Sequence, residues 1–418
     1  MLSSPPRVLS SASQTNNSLL LRLVKPFQES QIPILGILGV SLAGFSAYLN
    51  LYATQALLPV FTKVFHVTRA ETGLTLSATT AAIAFAAPFI GLLSDRRGRK
   101  PVVVASIFLL VVPCLLAAFA NNLSELIAVR FVQGLILPGV LAILMAYVGE
   151  EWCKRGSVGF AMSVFISLNI LGGFLGRLIP GLIAANFGWR NAFIASAILC
   201  FCCGIAVLKI LPSSSSFMPS KGGLNLDEAK GHIKNPQVVS TFFIGATILF
   251  GIIATFTYLT FHLAEAPYAL DENVISWLFA VYLIGVVVTP MAGRFIDRIT
   301  PKRSFLIAQA LCITGLLITL MPNLAAILIG LCISCTALFI CQSANQAALR
   351  GFASKGLCTA TGIHACFYYL GGGLGGYMPG LVWDQGGWSA CAFVIIAANI
   401  LAAMTALLIW PSRCKNSI

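Results

Sequence analysis

Residues 171–189 read LGGFLGRLIPGLIAANFGW, and 199 positions later residues 370–388 read LGGGLGGYMPGLVWDQGGW. Ten of the nineteen positions recur: Leu171, Gly172, Gly173, Leu175, Gly176, Pro180, Gly181, Leu182, Gly188 and Trp189. At a shift of 202, GLLSDRRGRK (91–100) falls on GRFIDRITPK (293–302), where Gly293, Asp297, Arg298 and Lys302 repeat and Pro290 answers Pro88. Two elements that return in the same order at nearly the same offset mark an internal duplication.

The solvent of this duplicated fold follows from composition. Charged residues are 9% of 418 positions and hydrophobic ones 58%, with a mean hydropathy of +0.91, far from a water-soluble domain. A hydrocarbon core of about 30 Å takes about 20 apolar residues of helix. Twelve predominantly apolar runs meet that length: 33–58, 73–93, 102–120, 123–148, 158–182, 191–211, 239–263, 274–293, 304–321, 324–347, 358–381 and 389–410. The expected fold is all-α, twelve transmembrane helices in two pseudo-symmetric six-helix bundles, at 33–211 and 239–410. A tail at 1–32, a Ser- and Gly-rich polar linker at 212–238 and a short tail at 411–418 complete the division.

Basic residues orient the bundle, since cytoplasmic loops retain Lys and Arg. With both termini cytoplasmic, 21 of the 26 fall inside and three (Lys63, Arg69 and Arg190) outside, while Arg130 and Arg177 lie within spans. The net charge of +13 is therefore a topology signal that favours anionic lipid, and no nucleic-acid partner is expected. The 13 cysteines sit mostly in apolar runs with no ligand cluster beside them, which is the pattern of core thiols. No cofactor or metal is expected. The Ser-rich first 30 residues, with one acid at Glu29, hold an apolar run too short to span and are expected to be a disordered tail.

GLLSDRRGRK resembles the signature of the major facilitator superfamily between helices 2 and 3, through Gly91, Ser94, Asp95, Arg96, Gly98, Arg99 and Lys100. RFVQG resembles that superfamily's helix 4 element through Arg130, Gln133 and Gly134. LYATQALLP, the EEW turn, GGFLGRLIPG and WRNAF are similar to its bacterial drug-antiporter-like branch. The branch usually shows GxxxGPxxGG in helix 5, whereas this chain has Arg177 in place of the Pro and Pro180 in place of a Gly. The resemblance implies alternating access between two halves and a latch at Asp95.

The residues allow the following expectations. Gly91 permits close helix approach, Gly98 a tight turn, and Asp95 a contact with a helix N-terminus of the other half. The second copy, with Asp297 and Arg298 but Ile299, Thr300 and Pro301 in place of Arg97, Gly98 and Arg99, is expected to latch more weakly. Intramembrane Arg130 and Arg177 need water, an anion or carbonyls, or, for Arg177, snorkelling toward the outer end; the resemblance adds proton movement at Arg130. All 13 acids fall in loops or at helix ends, so charge coupling is left to Glu125, Asp95, His364 or a group on the substrate. Neutral polar and aromatic candidates for a substrate path are Asn50, Gln133, Asn169, Phe256, Tyr258, Tyr282, Tyr368 and Tyr369, each equally readable as packing. Asn169 and Tyr368 are equivalent in the repeat.

The expected function is secondary transport of small organic solutes, as proton-coupled export, by a monomer in the cell inner membrane. An alternative is uptake of an organic anion that pairs with Arg130 or Arg177. An enzyme or sensor on the same scaffold is the remote alternative: no Walker loop, HExxH or GxSxG is present to carry such chemistry.

Overall fold

The computed structural model describes residues 34–153, 158–213, 226–353 and 356–411. The N-terminal tail, residues 214–225 of the Ser-rich linker and residues 412–418 lie outside the described residues. Eleven helical stretches are long and apolar enough to cross a membrane. The last of them, Leu357–Ile409, divides in two at a 3₁₀ turn (Met378–Val382) and at the non-helical Gly386 and Gly387. The twelve resulting helices are α1 (Leu35–Phe65), α2 (Arg69–Arg97), α3 (Arg99–Ala118), α4 (Leu123–Val148), α5 (Val158–Phe187), α6 (Trp189–Ile210), α7 (Pro236–Ala264), α8 (Glu272–Ile299), α9 (Pro301–Ile318), α10 (Leu324–Phe352), α11 (Leu357–Tyr377) and α12 (Trp383–Ile409).

Most helices, among them α1, α2, α5, α7, α8, α10 and α12, outlast their apolar runs, because charged and polar ends emerge into water while the backbone ladder continues. Thus α2 starts at Arg69 on a Thr68 cap with a reciprocal Glu71 contact and ends at Arg97. The linker differs from a plain polar loop. It carries a short helix, Leu226–Lys234, and Asn235 caps α7, which opens at Pro236. Large apolar side chains such as Phe85, Phe89, Leu401 and Leu408 face outward, the surface lipid requires.

Within the first half α1 packs on α5, α2 on α4 and α3 on α6; within the second, α7 packs on α11 and α12, and α9 on α10. Pairings of α2 with α11, α5 with α8, and α1 with α7 join the halves. The first two are images of each other under the sequence repeat. Close backbone and polar contacts along these seams gather toward one end. Gly73 on α2 meets Gly376 on α11 backbone to backbone, and Ser77 Oγ donates to the Gly373 carbonyl at 2.6 Å. Gly181 on α5 meets Ser276, and Asn186 Nδ2 donates to Asn273 Oδ1 at 3.1 Å. At the other end Gly91 (α2), Gly293 (α8) and Gly362 (α11) face open space. We call the closed end the far face and the open end, which bears the linker helix, the linker face.

The two copies of the signature make the same turn. Gly98 adopts φ 94°, ψ 157° and its counterpart Thr300 φ 119°, ψ 150°. The turn therefore survives the loss of glycine, at the cost of a β-branched residue held at positive φ. Lys302 also has a local reason to be retained: its Nζ donates to the carbonyls of Leu407 (2.8 Å) and Trp410 (2.6 Å) at the end of α12. We expect Thr300→Gly to raise stability by about 1 kcal/mol, the released strain exceeding the added unfolded-state entropy and a weak cap. A raised thermal unfolding midpoint of the purified chain checks this; a lowered one contradicts it.

Candidate functional site

Arg177 sits in α5 where the halves meet, and it is fully buried. It does not snorkel. Nε donates to Gln55 Oε1 at 2.6 Å and Nη1 to the Gly173 carbonyl at 2.6 Å. The guanidinium lies over Tyr52 (3.6 Å to the ring centre) and is flanked by Tyr282 (4.7 Å) and Phe279 (5.4 Å). Among the described residues the buried Nη2 finds no hydrogen-bond partner. Gln55 passes the contact across the seam, donating from Nε2 to Thr257 Oγ1 (3.1 Å) and the Ile253 carbonyl (3.4 Å) of α7.

Around this cation the seam is aromatic. Tyr48 stacks on Tyr52; Tyr282 stands edge-on to Phe256 and Phe339; Tyr368 stands edge-on to Tyr369. The five tyrosines Tyr48, Tyr52, Tyr282, Tyr368 and Tyr369 lie within electrostatic range of one another. Tyr48, Asn169, Tyr368 and Tyr369 retain partial exposure, so the cluster is not sealed on every side. Tyr258, by contrast, is spent within the second half, donating to the Gly376 carbonyl at 2.7 Å.

The other candidates lie elsewhere. Arg130 is enclosed in the first half. Nη1 donates to the Asn50 carbonyl and to Gln133 Oε1 (both 2.6 Å), and Nη2 to the Leu51 carbonyl (2.7 Å). Those carbonyls sit at the end of the Ile34–Tyr52 segment of α1, where helical donors run out before the 3₁₀ turn Gln55–Leu57. Asn50 and Gln133 complete the knot with each other and with Cys114, so neither lines the seam. His364 is wedged against Gly245 of α7, and its Nε2 faces Asn345 Nδ2 at 3.0 Å, an amide nitrogen that also donates to the Thr241 carbonyl. Because that nitrogen is a donor, Nε2 must accept, and a proton placed there would face another N–H. Glu125 closes the cap of α4, accepting from Asn121 N (2.9 Å) and Asn122 Nδ2 (2.8 Å).

At the linker face Asp95 accepts from Arg99 Nη1 of its own turn at 2.6 Å, and Arg99 also reaches Ser94 Oγ at 2.9 Å. Among the described residues Asp95 makes no contact with a helix terminus of the other half. Arg96, Asp297 and Arg298 are exposed, while Gly98 is buried in the turn and Lys100 half-buried. The charged link between halves lies at the far face: Arg69 pairs with Glu265 and lies over Trp383, 5.0 Å from the ring centre.

Two bundles related by an internal repeat, joined along α2–α11 and α5–α8, agree with a family model described as Major Facilitator Superfamily, matched over residues 40–270 and 261–416. The chain belongs to the Major Facilitator Superfamily. Its relatives include an uncharacterized transporter of Buchnera aphidicola subsp. Schizaphis graminum, 34% identical over 89% of this chain and 90% of that protein. The inner membrane transport protein YnfM of Escherichia coli (strain K12) is 30% identical over 87% of each chain. The multidrug resistance protein MdtG of a Rahnella species is 28% identical over 64% of this chain and 69% of its own. The fold is that of a bacterial homologue of the lysosomal transporter Spinster, solved inward-facing and occupied (TM-score 0.72, 14% identity, 89% and 96% of the two chains). It is equally that of the nucleoside transporter NupG (TM-score 0.71, 13% identity, 90% and 100% of the two chains). This superfamily member is thus a multi-pass membrane transporter.

Sequence reading passed over Gln55, Tyr48, Tyr52 and the Arg69–Glu265 pair. Gln55 lies inside LYATQALLP, a run that showed only resemblance; its signal was a carboxamide in an otherwise apolar segment. The pair was visible as opposite charges in two outer loops, but nothing in one dimension joins residues 196 positions apart.

Proposed function

We propose that the chain exports small organic solutes by alternating access, driven by the proton gradient, as a monomer in the cell inner membrane with both termini and the linker face cytoplasmic. The observation that carries this is the one-ended seam. Halves that meet closely at the far face, with Gly91, Gly293 and Gly362 facing open space at the linker face, fit one of the two states such a cycle needs. The YnfM and MdtG relatives support the membrane and the direction. Since every acid lies in a loop or at a helix end, Asp95 or a group on the substrate carries the proton.

A second reading, uptake of an organic anion, is favoured by Arg177, whose charge meets no carboxylate. Proteoliposomes with an imposed pH gradient, screened with solutes while internal pH is read, test both. Export predicts solute-dependent proton movement opposite to the solute; co-movement selects the second reading, and no solute movement at all contradicts both. In the same assay Asp95→Asn should slow transport about tenfold or more, through loss of a charge-assisted contact in each state. Unchanged rates would remove Asp95 from the gate.

A further inference from the structure

We propose that Arg177 is the recognition point for an aromatic carboxylate, and that taking up this ligand loosens the far-face closure. The proposal rests on the transporter reading and holds for either direction of transport.

A buried guanidinium without a carboxylate is costly unless it serves an anion at some stage. Here its faces are covered by Tyr52 and Tyr282, and two of its three nitrogens are engaged by neutral carbonyl groups. The free Nη2 is shared by both edges of the fork. A carboxylate held by two parallel bonds needs Nη2 together with either Nε or Nη1. Nη1 is tied to the Gly173 carbonyl one turn back in the same helix, which is fixed backbone. Nε is tied to Gln55 Oε1, the end of a movable side chain. Nη1 keeps a second N–H but turns back toward its own helix, whereas Nε points to Gln55, the residue that reaches α7 across the seam, so the edge offered to a ligand in the seam is Nε–Nη2 and the group displaced is Gln55.

Gln55 is also the polar tie between α1 and α7, through Thr257 and the Ile253 carbonyl. An anion that displaces it from Arg177 releases one end of that tie, and ligand binding favours the state in which the far face parts. The ligand's body is indicated by its surroundings. Among the described residues none of the hydroxyls of Tyr48, Tyr52, Tyr282, Tyr368 and Tyr369 has a protein hydrogen-bond partner, and their rings with those of Phe256 and Phe339 form an aromatic cluster around the cation. A flat aromatic ring with a carboxylate matches both features, whereas a cationic drug meets Arg177 with like charge.

The test uses the purified full-length chain in lipid nanodiscs, titrated calorimetrically with benzoate and with its neutral twin benzamide, and followed by hydrogen exchange of the far-face segment 265–278. Benzoate should bind at least about tenfold more tightly than benzamide, the worth of one charge-assisted bidentate contact. Arg177→Gln should erase that preference. Gln55→Leu, which removes the competing carbonyl, should strengthen benzoate binding and raise exchange in 265–278 without ligand, as benzoate itself does in the unaltered chain. Equal affinities, a preference that survives Arg177→Gln, or benzoate binding with unchanged exchange would each overturn the proposal. A chain that shows any of these results while still moving a solute in proteoliposomes remains a transporter without this anion site.

Discussion

Gly73→Val is expected to cut transport about tenfold to a hundredfold while the chain still inserts and folds. A Cβ at position 73 would overlap the Gly376 carbonyl of α11 across the seam. That carbonyl cannot retreat, because Gly371 and Gly375 press the backbone of α11 directly on α7 at Ala246 and Phe250. Overpacking of this kind costs about 1–3 kcal/mol, and it is charged to the far-face-closed state alone, since the seam parts in the other. At about 1.4 kcal/mol per tenfold change in a population, the closed state becomes correspondingly rare. Gly91→Val should do the reverse, because position 91 faces open space here and meets a neighbour only when the linker face closes. Hydrogen exchange of segment 265–278 separates the two variants: raised in Gly73→Val, unchanged or lowered in Gly91→Val. Equal behaviour would mean that the glycines serve packing within one half and not the cycle.

Arg130→Ala should lower stability by about 3 kcal/mol or more. The substitution leaves the carbonyls of Asn50 and Leu51 and the Gln133 amide oxygen buried and unpaired, and each orphaned group costs about 1–3 kcal/mol. Part of this is returned, because the lost cation was itself expensive to bury. Arg130→Lys should restore only a fraction, since an ammonium cannot present two nitrogens to carbonyls on successive residues. Thermal unfolding of the purified variants measures this. An Arg130→Ala protein as stable as the parent, yet inactive in transport, would return Arg130 to the proton-handling role that its resemblance implies.

Much of the architecture was legible in one dimension. Apolar runs counted the helices, the repeat at 171–189 and 370–388 divided them into halves, and Gly98 marked a turn of positive φ. Glycine need not persist for the turn to persist, however, and Thr300 shows it. The site was less legible because burial and partners are three-dimensional properties. Arg130 and Arg177 look alike as cations within spans, yet one closes a break in α1 and the other stands at the seam with a nitrogen to spare. Asn50 and Gln133, polar residues at mid-depth, proved to satisfy each other and Arg130, whereas Tyr368, Tyr369, Tyr282 and Phe256 gathered at the seam as their helices required. His364 needed its neighbour Asn345 before its protonation could be read.

The central claim is that the two faces open in alternation about the seam centred on Arg177. Pulsed EPR on chains bearing nitroxide-carrying noncanonical residues at 186 and 273 on the far face, and in a second chain at 97 and 298 on the linker face, tests it directly. Alternating access from this state predicts a short 186–273 distance and a long 97–298 distance in the resting protein, with transported solute lengthening the first as it shortens the second. Distances that lengthen together, or that ignore a solute the protein moves, would contradict it.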